Sequence, residues 1–141
     1  MAAPEMISRL MVARNAAHMA HLQTTSFAAH KALDSFYSDI VGLLDSFAET
    51  YQGIFGLITK YPEVTSPTGS PDKWIESLRN WLKKDRTASC KGETPLENIH
   101  DELQALCAST VYKLRYLDNP VMHEADEADE EEKELMGMSK W

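Results

Sequence analysis

The chain has 141 residues, of which 43% are hydrophobic and 26% charged, with a formal net charge of −8. This length suits about one domain, and the acidic balance argues against binding nucleic acid, because holding phosphates requires a basic surface. No apolar run is long enough to span a membrane and no signal peptide is evident, so we expect a cytoplasmic protein.

The first predicted helix runs from Pro4 to about Gln23. Apolar residues recur there at helical spacing, and proline is well suited to a first helical turn. A Thr/Ser cluster then breaks the helix, and Thr25 or Ser26 can cap the next one.

The second predicted helix has the clearest apolar stripe, because its hydrophobic residues recur in alternating steps of four and three. The stripe consists of Leu33, Tyr37, Ile40, Leu44, Phe47, Tyr51, Ile54 and Ile58. Pro62 disfavours helical backbone at the residue before it, so the helix should end near Thr59. Gly53 and Gly56 weaken its last turns and can end it earlier.

The second half of the chain predicts two further helices, separated by polar loops at residues 61–70 and 85–93. Ser70 and Pro71 are a typical cap and first turn. The apolar face of that third helix consists of Trp74, Ile75, Leu78, Trp81 and Leu82. Thr94 and Glu97 have the spacing of a capping box, and the fourth helix should end at the Asn-Pro pair 119–120.

Four helices without a convincing strand predict an all-α fold, an antiparallel four-helix bundle. We assign residues 1–120 to the bundle and residues 121–141 to an acidic C-terminal tail, since the run from 124 to 134 is dominated by Asp and Glu. Cys90 and Cys107 form no CxxC unit and suit reduced, partly buried thiols.

Polar residues on the second helix form a separate face beside the apolar stripe. With His30 at zero on a helical wheel, Asp34, Asp45 and Glu49 fall at about 40°, 60° and 100°. The centre of His30/Asp34 is nevertheless about 22 Å along the axis from the centre of Asp45/Glu49. A two-fold related copy packed antiparallel would bring the two pairs together, with His18 adding a nitrogen. Imidazole and carboxylate ligands suit Fe(II), Mn or Zn.

The spacing His18–x11–His30–x3–Asp34–x10–Asp45–x3–Glu49 resembles the ferroxidase motif of the Dps family, the mini-ferritins. Phe27, Tyr37 and the segment LDSFAE at 44–49 also fit that family, whereas Met19 replaces its usual Trp. The resemblance extends over about residues 14–50.

The Dps resemblance implies a ferritin-like bundle that associates through a two-fold interface, commonly into a dodecameric shell. His18, His30 and Asp34 of one subunit, with Asp45 and Glu49 of its neighbour, would be both metal ligands and catalytic residues. They would bind Fe2+ and oxidise it to Fe3+ with hydrogen peroxide or dioxygen, for iron storage or peroxide detoxification. Because a basic arm is missing, we expect no DNA binding.

A second hypothesis is a non-enzymatic helical structural or adaptor protein on a ferritin-like scaffold. It would be a virion or assembly component encoded by a phage within its bacterial host. The second half of the chain favours it, since residues there match no Dps segment. His21 lies one turn from His18 and could touch a metal, but we expect it on the exposed surface. His100 and His123 have no acid or His partner at ligand spacing, so we place them outside the metal site.

Overall fold

The computed structural model describes residues 2–118. Four helices make up most of this range: α1 (Ala2–Gln23), α2 (Phe27–Phe55), α3 (Pro71–Cys90) and α4 (Thr94–Tyr116). No strand occurs between residues 2 and 118, so the predicted all-α four-helix bundle is confirmed. The predicted boundary at residue 120, the acidic tail and His123 lie outside the described residues.

The four helices form a ring in which neighbours are antiparallel. The packed pairs are α1–α2, α2–α4, α4–α3 and α3–α1. Lys91, directly after α3, places its Nζ 4.6 Å from the ring centre of Phe55 at the end of α2, so α2 and α3 run in the same direction. At the opposite end, the Ser26 hydroxyl before α2 donates to Asp118 after α4.

Because α2 and α3 are parallel, residues 56–70 must return along the whole length of the bundle. Pro62, Glu63 and Val64 of this crossover border a hollow together with Ser8 and Val12 of α1, so the chain crosses the outer side of α1. The bundle therefore has one long crossover, between α2 and α3, and short turns between the other consecutive helices.

The end of α2 differs from the predicted position near Thr59. The helix ends at Phe55, and Gly56 follows with φ 99° and ψ 169°, a backbone conformation that is essentially restricted to glycine. The glycine N–H still donates to the Gln52 carbonyl. Gly56, and not Pro62, therefore determines where α2 ends.

The core confirms the predicted apolar faces of α2 and α3. The buried members are Leu33, Ile40, Leu44, Phe47 and Tyr51 of α2, and Trp74, Ile75, Leu78 and Leu82 of α3. Phe36 is also fully buried, although the predicted stripe omitted it, and Ile54 is exposed.

The predicted loop at 85–93 is wrong, because α3 continues as far as Cys90. The predicted capping box is wrong as well: Glu93 is the N-cap residue of α4, and Thr94 is already helical. Ser26 does cap α2, accepting a hydrogen bond from the Ala29 N–H at 3.1 Å. Ser70 occupies the N-cap position of α3, but its hydroxyl donates to Asp72.

Cys90 and Cys107 are free and buried, as the sequence predicted. Over residues 2–118, none of the helices combines the length and hydropathy that a membrane span needs.

Candidate functional site

Three histidines gather at the corner where α1 ends and α2 begins. The rings of His21 and His30 stack with their centres 3.7 Å apart and an angle of 18° between their planes. His18 lies 6.0 Å from His21, ring centre to ring centre, and stacks on Tyr37 at 4.2 Å. His21, which we expected on the exposed surface, is half-buried and contacts both other histidines.

The stacked pair is held by two reciprocal hydrogen bonds. Nδ1 of His21 lies 2.7 Å from the carbonyl oxygen of His30, and Nδ1 of His30 lies 2.8 Å from the carbonyl oxygen of His21. Because a carbonyl oxygen only accepts, both Nδ1 atoms carry the proton and donate it. The His30 ring also satisfies one of the last carbonyls of α1, which lack a partner inside the helix.

This geometry does not gather ligands around one ion. With both protons on Nδ1, the free lone pair of each ring is on Nε2 and lies in the ring plane. The planes of His21 and His30 are nearly parallel and stacked one above the other, so their lone pairs lie in two separate planes and do not converge on one point. Within residues 2–118, no three His, Cys, Asp or Glu side chains are placed to hold a metal ion.

Asp34, the third predicted ligand at this corner, interacts with Tyr37. The pKa of Tyr37 is raised, mainly because the phenol is removed from water, and further because it hydrogen-bonds to the Asp34 carboxylate and lies near its negative charge. The Arg14 guanidinium, 5.2 Å from the Tyr37 ring centre, acts in the opposite direction.

Asp45 and Glu49 are exposed on the outer surface of α2, about 22 Å along the axis from the His30/Asp34 pair. One chain therefore does not bring them to His18, His30 and Asp34, as the sequence already indicated. A shared ligand set from two chains, and the identity of any metal there, stay predictions.

A second polar cluster is buried between α3 and α4. Asp85 accepts a hydrogen bond from the Ser89 hydroxyl at 2.7 Å, and its other oxygen lies 3.3 Å from Nε2 of His100. The amide nitrogen of Gln104 lies 3.1 Å from Nδ1 of His100, so the amide donates and the ring carries its proton on Nε2. The ring of Phe47 meets that of His100 edge-on at 6.4 Å.

This buried cluster contains Ser, His and Asp but lacks the order of a nucleophilic triad. The Ser89 hydroxyl donates to the carboxylate and not to the imidazole, so no base is placed to activate it. Ser89 and His100 have no solvent exposure. The cluster therefore fixes α3 against α4.

Two carboxylates border a hollow of about 240 Å³ at the end of the bundle where α1 and α4 end. Asp72 accepts from Nε of Arg115 at 2.9 Å and from the Ser70 hydroxyl. Asp118 accepts from the Ser26 hydroxyl. Both carboxylates thus join helix ends across this hollow.

Sequence reasoning missed His21, Asp85 and His100. The only local signal was the four-residue spacing of Asp85/Ser89 and of His100/Gln104, which places each pair on one helix face. The contact between Asp85 and His100 joins two helices, so no spacing rule predicts it.

Fold and site together define a small all-α bundle whose polar clusters connect helices. The family of unknown function DUF5856 matches residues 21–114. A relative from Enterobacteria phage T4, described as an uncharacterized 14.6 kDa protein in the mobD–ri intergenic region, is 31% identical over 115 residues, which cover 79% of this chain and 87% of that protein. The chain belongs to the DUF5856 family. No solved structure matches it.

The resemblance to the Dps family is therefore wrong, because the sequence matches DUF5856 and a phage protein. Iron binding, ferroxidase activity and iron storage were expected from that resemblance, and these expectations are withdrawn with it. Within one chain the histidines at the α1–α2 corner stack and bond to backbone, and the ligand set shared by two chains stays a prediction.

Proposed function

We propose that this protein is a non-enzymatic helical adaptor or structural protein, encoded by a phage and used in its assembly or its virion. The phage relative supports the biological setting. The family has no described function, so the molecular role is argued from the surface of the bundle.

The observation that carries the proposal is a group of large apolar side chains exposed at one end of the bundle. Leu22 at the end of α1 is 71% exposed, Phe27 at the start of α2 is 76% exposed and Tyr116 at the end of α4 is 75% exposed. Met19 and Leu117 add to this apolar end. The bond between Ser26 and Asp118 holds α4 against the start of α2.

Exposed apolar groups of this kind mark surfaces that bind other proteins. The ionisable groups nearby support a binding role over a chemical one, because His21, His30, Asp34 and Asp118 already bond within the chain. We therefore assign Leu22 and Tyr116 of this apolar end to the contact with another component of the phage particle or its assembly complex.

The test compares two exposed apolar sites in cells infected by the phage that encodes the chain. The first variant is Leu22→Ser/Tyr116→Ser, and the matched control is Leu57→Ser, since Leu57 is 77% exposed at the opposite end. Circular dichroism and thermal melting check that both fold. Mass spectrometry then counts copies of the chain in purified particles and in size-fractionated extract.

The wild-type chain and the Leu57→Ser control should be found at a fixed ratio in particles or in one assembly complex. The double variant should remain in the fractions of free chain. A wild-type chain that stays free throughout infection would show that the proposed function is wrong.

A further inference from the structure

The outer side of α2 is an exposed stripe that no other helix covers. Its residues recur in steps of three or four, and all of them are exposed. This α2 stripe consists of Phe27, Lys31, Ser35, Ser38, Gly42, Asp45, Glu49 and Gly53. The helices packed on α2 are α1 and α4, on its two flanks. A Cβ atom added at Gly42 or Gly53 would meet no atom within 4 Å apart from the neighbouring backbone of α2 itself, so the surface above the stripe is open.

The two ends of this α2 stripe are complementary to each other. Lys31 and Glu49 lie nine residues on either side of Ile40, and Phe27 and Gly53 lie thirteen residues on either side. The cation Lys31 and the anion Glu49 are thus equidistant from Ile40 along the helix. The large ring of Phe27 and Gly53, which has no side chain, are equidistant from Ile40 as well. The Phe27 ring also lies 5.8 Å from the Lys31 Nζ, so these two groups form one unit.

The middle of the α2 stripe has the same symmetry and only small or short side chains. Ser35 and Asp45 lie five residues on either side of Ile40, and Ser38 and Gly42 lie two residues on either side. Small residues allow two helices to approach closely, at interaxial distances of about 8 Å. A serine hydroxyl facing a carboxylate can donate a hydrogen bond to it.

We propose that α2 pairs with α2 of a second copy of this chain, antiparallel, with the two-fold axis level with Ile40. In an isologous interface each contact occurs twice. The pairing therefore makes two Lys31–Glu49 ion pairs, seats each Phe27 ring over Gly53 of the partner subunit and brings no acid of the stripe opposite another acid.

The register of the pair, meaning which residue of one α2 lies opposite which residue of the other, follows from the same stripe. Moving the copies by one helical turn would pair Lys31 with Asp45, but it would place Phe27 opposite Glu49. The small residues Ser35 and Gly42 would then face positions outside the stripe. The register centred on Ile40 is the one in which all eight stripe positions meet stripe positions.

The first experiment measures the dimer dissociation constant of the full chain by analytical ultracentrifugation. The variants are Lys31→Glu, Glu49→Lys and the double charge swap. The control is Lys84→Glu, which makes the same charge change on an exposed part of α3.

A single helix pair is at the small end of protein interfaces, so we expect a dissociation constant in the micromolar range. Each single reversal places like charges together twice and should weaken the dimer about tenfold or more. The double swap should return to within about threefold of wild type, and Lys84→Glu should leave the constant unchanged. A chain that stays monomeric, or a control that weakens it equally, would overturn the proposal.

The second experiment tests the register by disulfide trapping with Ser38→Cys and Gly42→Cys. The native thiols are buried and compete little. Under mild oxidation a mixture of the two variants should give a cross-linked dimer containing one chain of each. If Ser38→Cys alone cross-links as well as the mixture, the register is shifted by a turn and the proposed one is wrong.

This inference goes beyond the proposed function, because it names a second copy of the chain as a partner. The two claims can fail separately. Lys31→Glu should weaken pairing about tenfold or more without altering Leu22 or Tyr116, so particle incorporation of that variant reports on the contact made by those two residues.

Discussion

Replacing Asp85 with alanine should be among the most destabilising single changes in this bundle. Asp85 accepts two hydrogen bonds, one from the Ser89 hydroxyl at 2.7 Å and one from the His100 Nε2–H at 3.3 Å. Both donors are fully buried, so neither can bond to water in the folded state when the carboxylate is removed. In the unfolded chain both are hydrated.

The magnitude follows from these two donors. A buried polar group without a partner costs about 1–3 kcal/mol, so stranding two donors by Asp85→Ala should lower the free energy of unfolding by about 2–6 kcal/mol. That is a large share of the total for a small domain, which is about 5–15 kcal/mol. Lys84→Ala changes the neighbouring exposed residue on α3 and should cost less than about 0.5 kcal/mol.

The assay is urea unfolding followed by circular dichroism, with the slope of the transition checked for two-state behaviour. His100→Leu and the double variant Asp85→Ala/His100→Leu complete a double-mutant cycle. Because His100→Leu removes one of the stranded donors, the double variant should be more stable than the sum of the single losses predicts. The expected coupling is about 0.5–3 kcal/mol. Additive losses, or a loss under 0.5 kcal/mol for Asp85→Ala, would refute the reasoning.

Three further predictions concern other parts of the bundle. Burial raises the pKa of Cys90 to about 11 and that of Cys107 to about 12, from an ordinary 9.0. Alkylation of these thiols at pH 8 should therefore be about 100-fold slower in folded than in urea-unfolded protein. The free energy of unfolding should fall above pH 9, because the thiols of the unfolded chain ionise first. His30→Ala removes the ring that bonds to a carbonyl in the last turn of α1. Hydrogen exchange of the backbone amides there should speed up, and the free energy of opening that turn should fall by about 1 kcal/mol. Unchanged protection of these amides would contradict a capping role for the His30 ring. Arg86 donates to Asp101 and lowers the pKa of that carboxyl. The stabilisation from this pair is present above the pKa of Asp101 in the unfolded chain and is lost as pH falls through its pKa in the folded protein. Arg86→Gln should therefore move the NMR titration of Asp101 to higher pH.

Local periodicity was sufficient to predict which sides of α2 and α3 are buried. A side chain such as Ile40 or Leu78 faces the core because its position on the helical repeat places it there, and both are fully buried. This information is contained in neighbouring residues, so a sequence reveals it without knowledge of the partner helices.

The extent of α3 could not be predicted in the same way. Asp85 and Ser89 lie among polar residues, which favour a loop when read alone. In the bundle Asp85 accepts from the Ser89 hydroxyl and, with its other oxygen, bonds to His100, which lies fifteen residues beyond Asp85 in the chain. That tertiary contact keeps the segment helical as far as Cys90.

The position of His21 could not be predicted for a related reason, since spacing constrains where a residue lies but not which group its ring bonds to. Two helices joined by a short turn place residues near the corner, such as His18 and His30, on facing flanks. The same spacing therefore serves a metal site and a packed corner equally well. The difference lies in where the Nδ1 protons go, and here they go to the backbone carbonyls of His21 and His30. A His/acid spacing on a helical hairpin thus indicates helix packing first, and a metal site only where the free nitrogens converge.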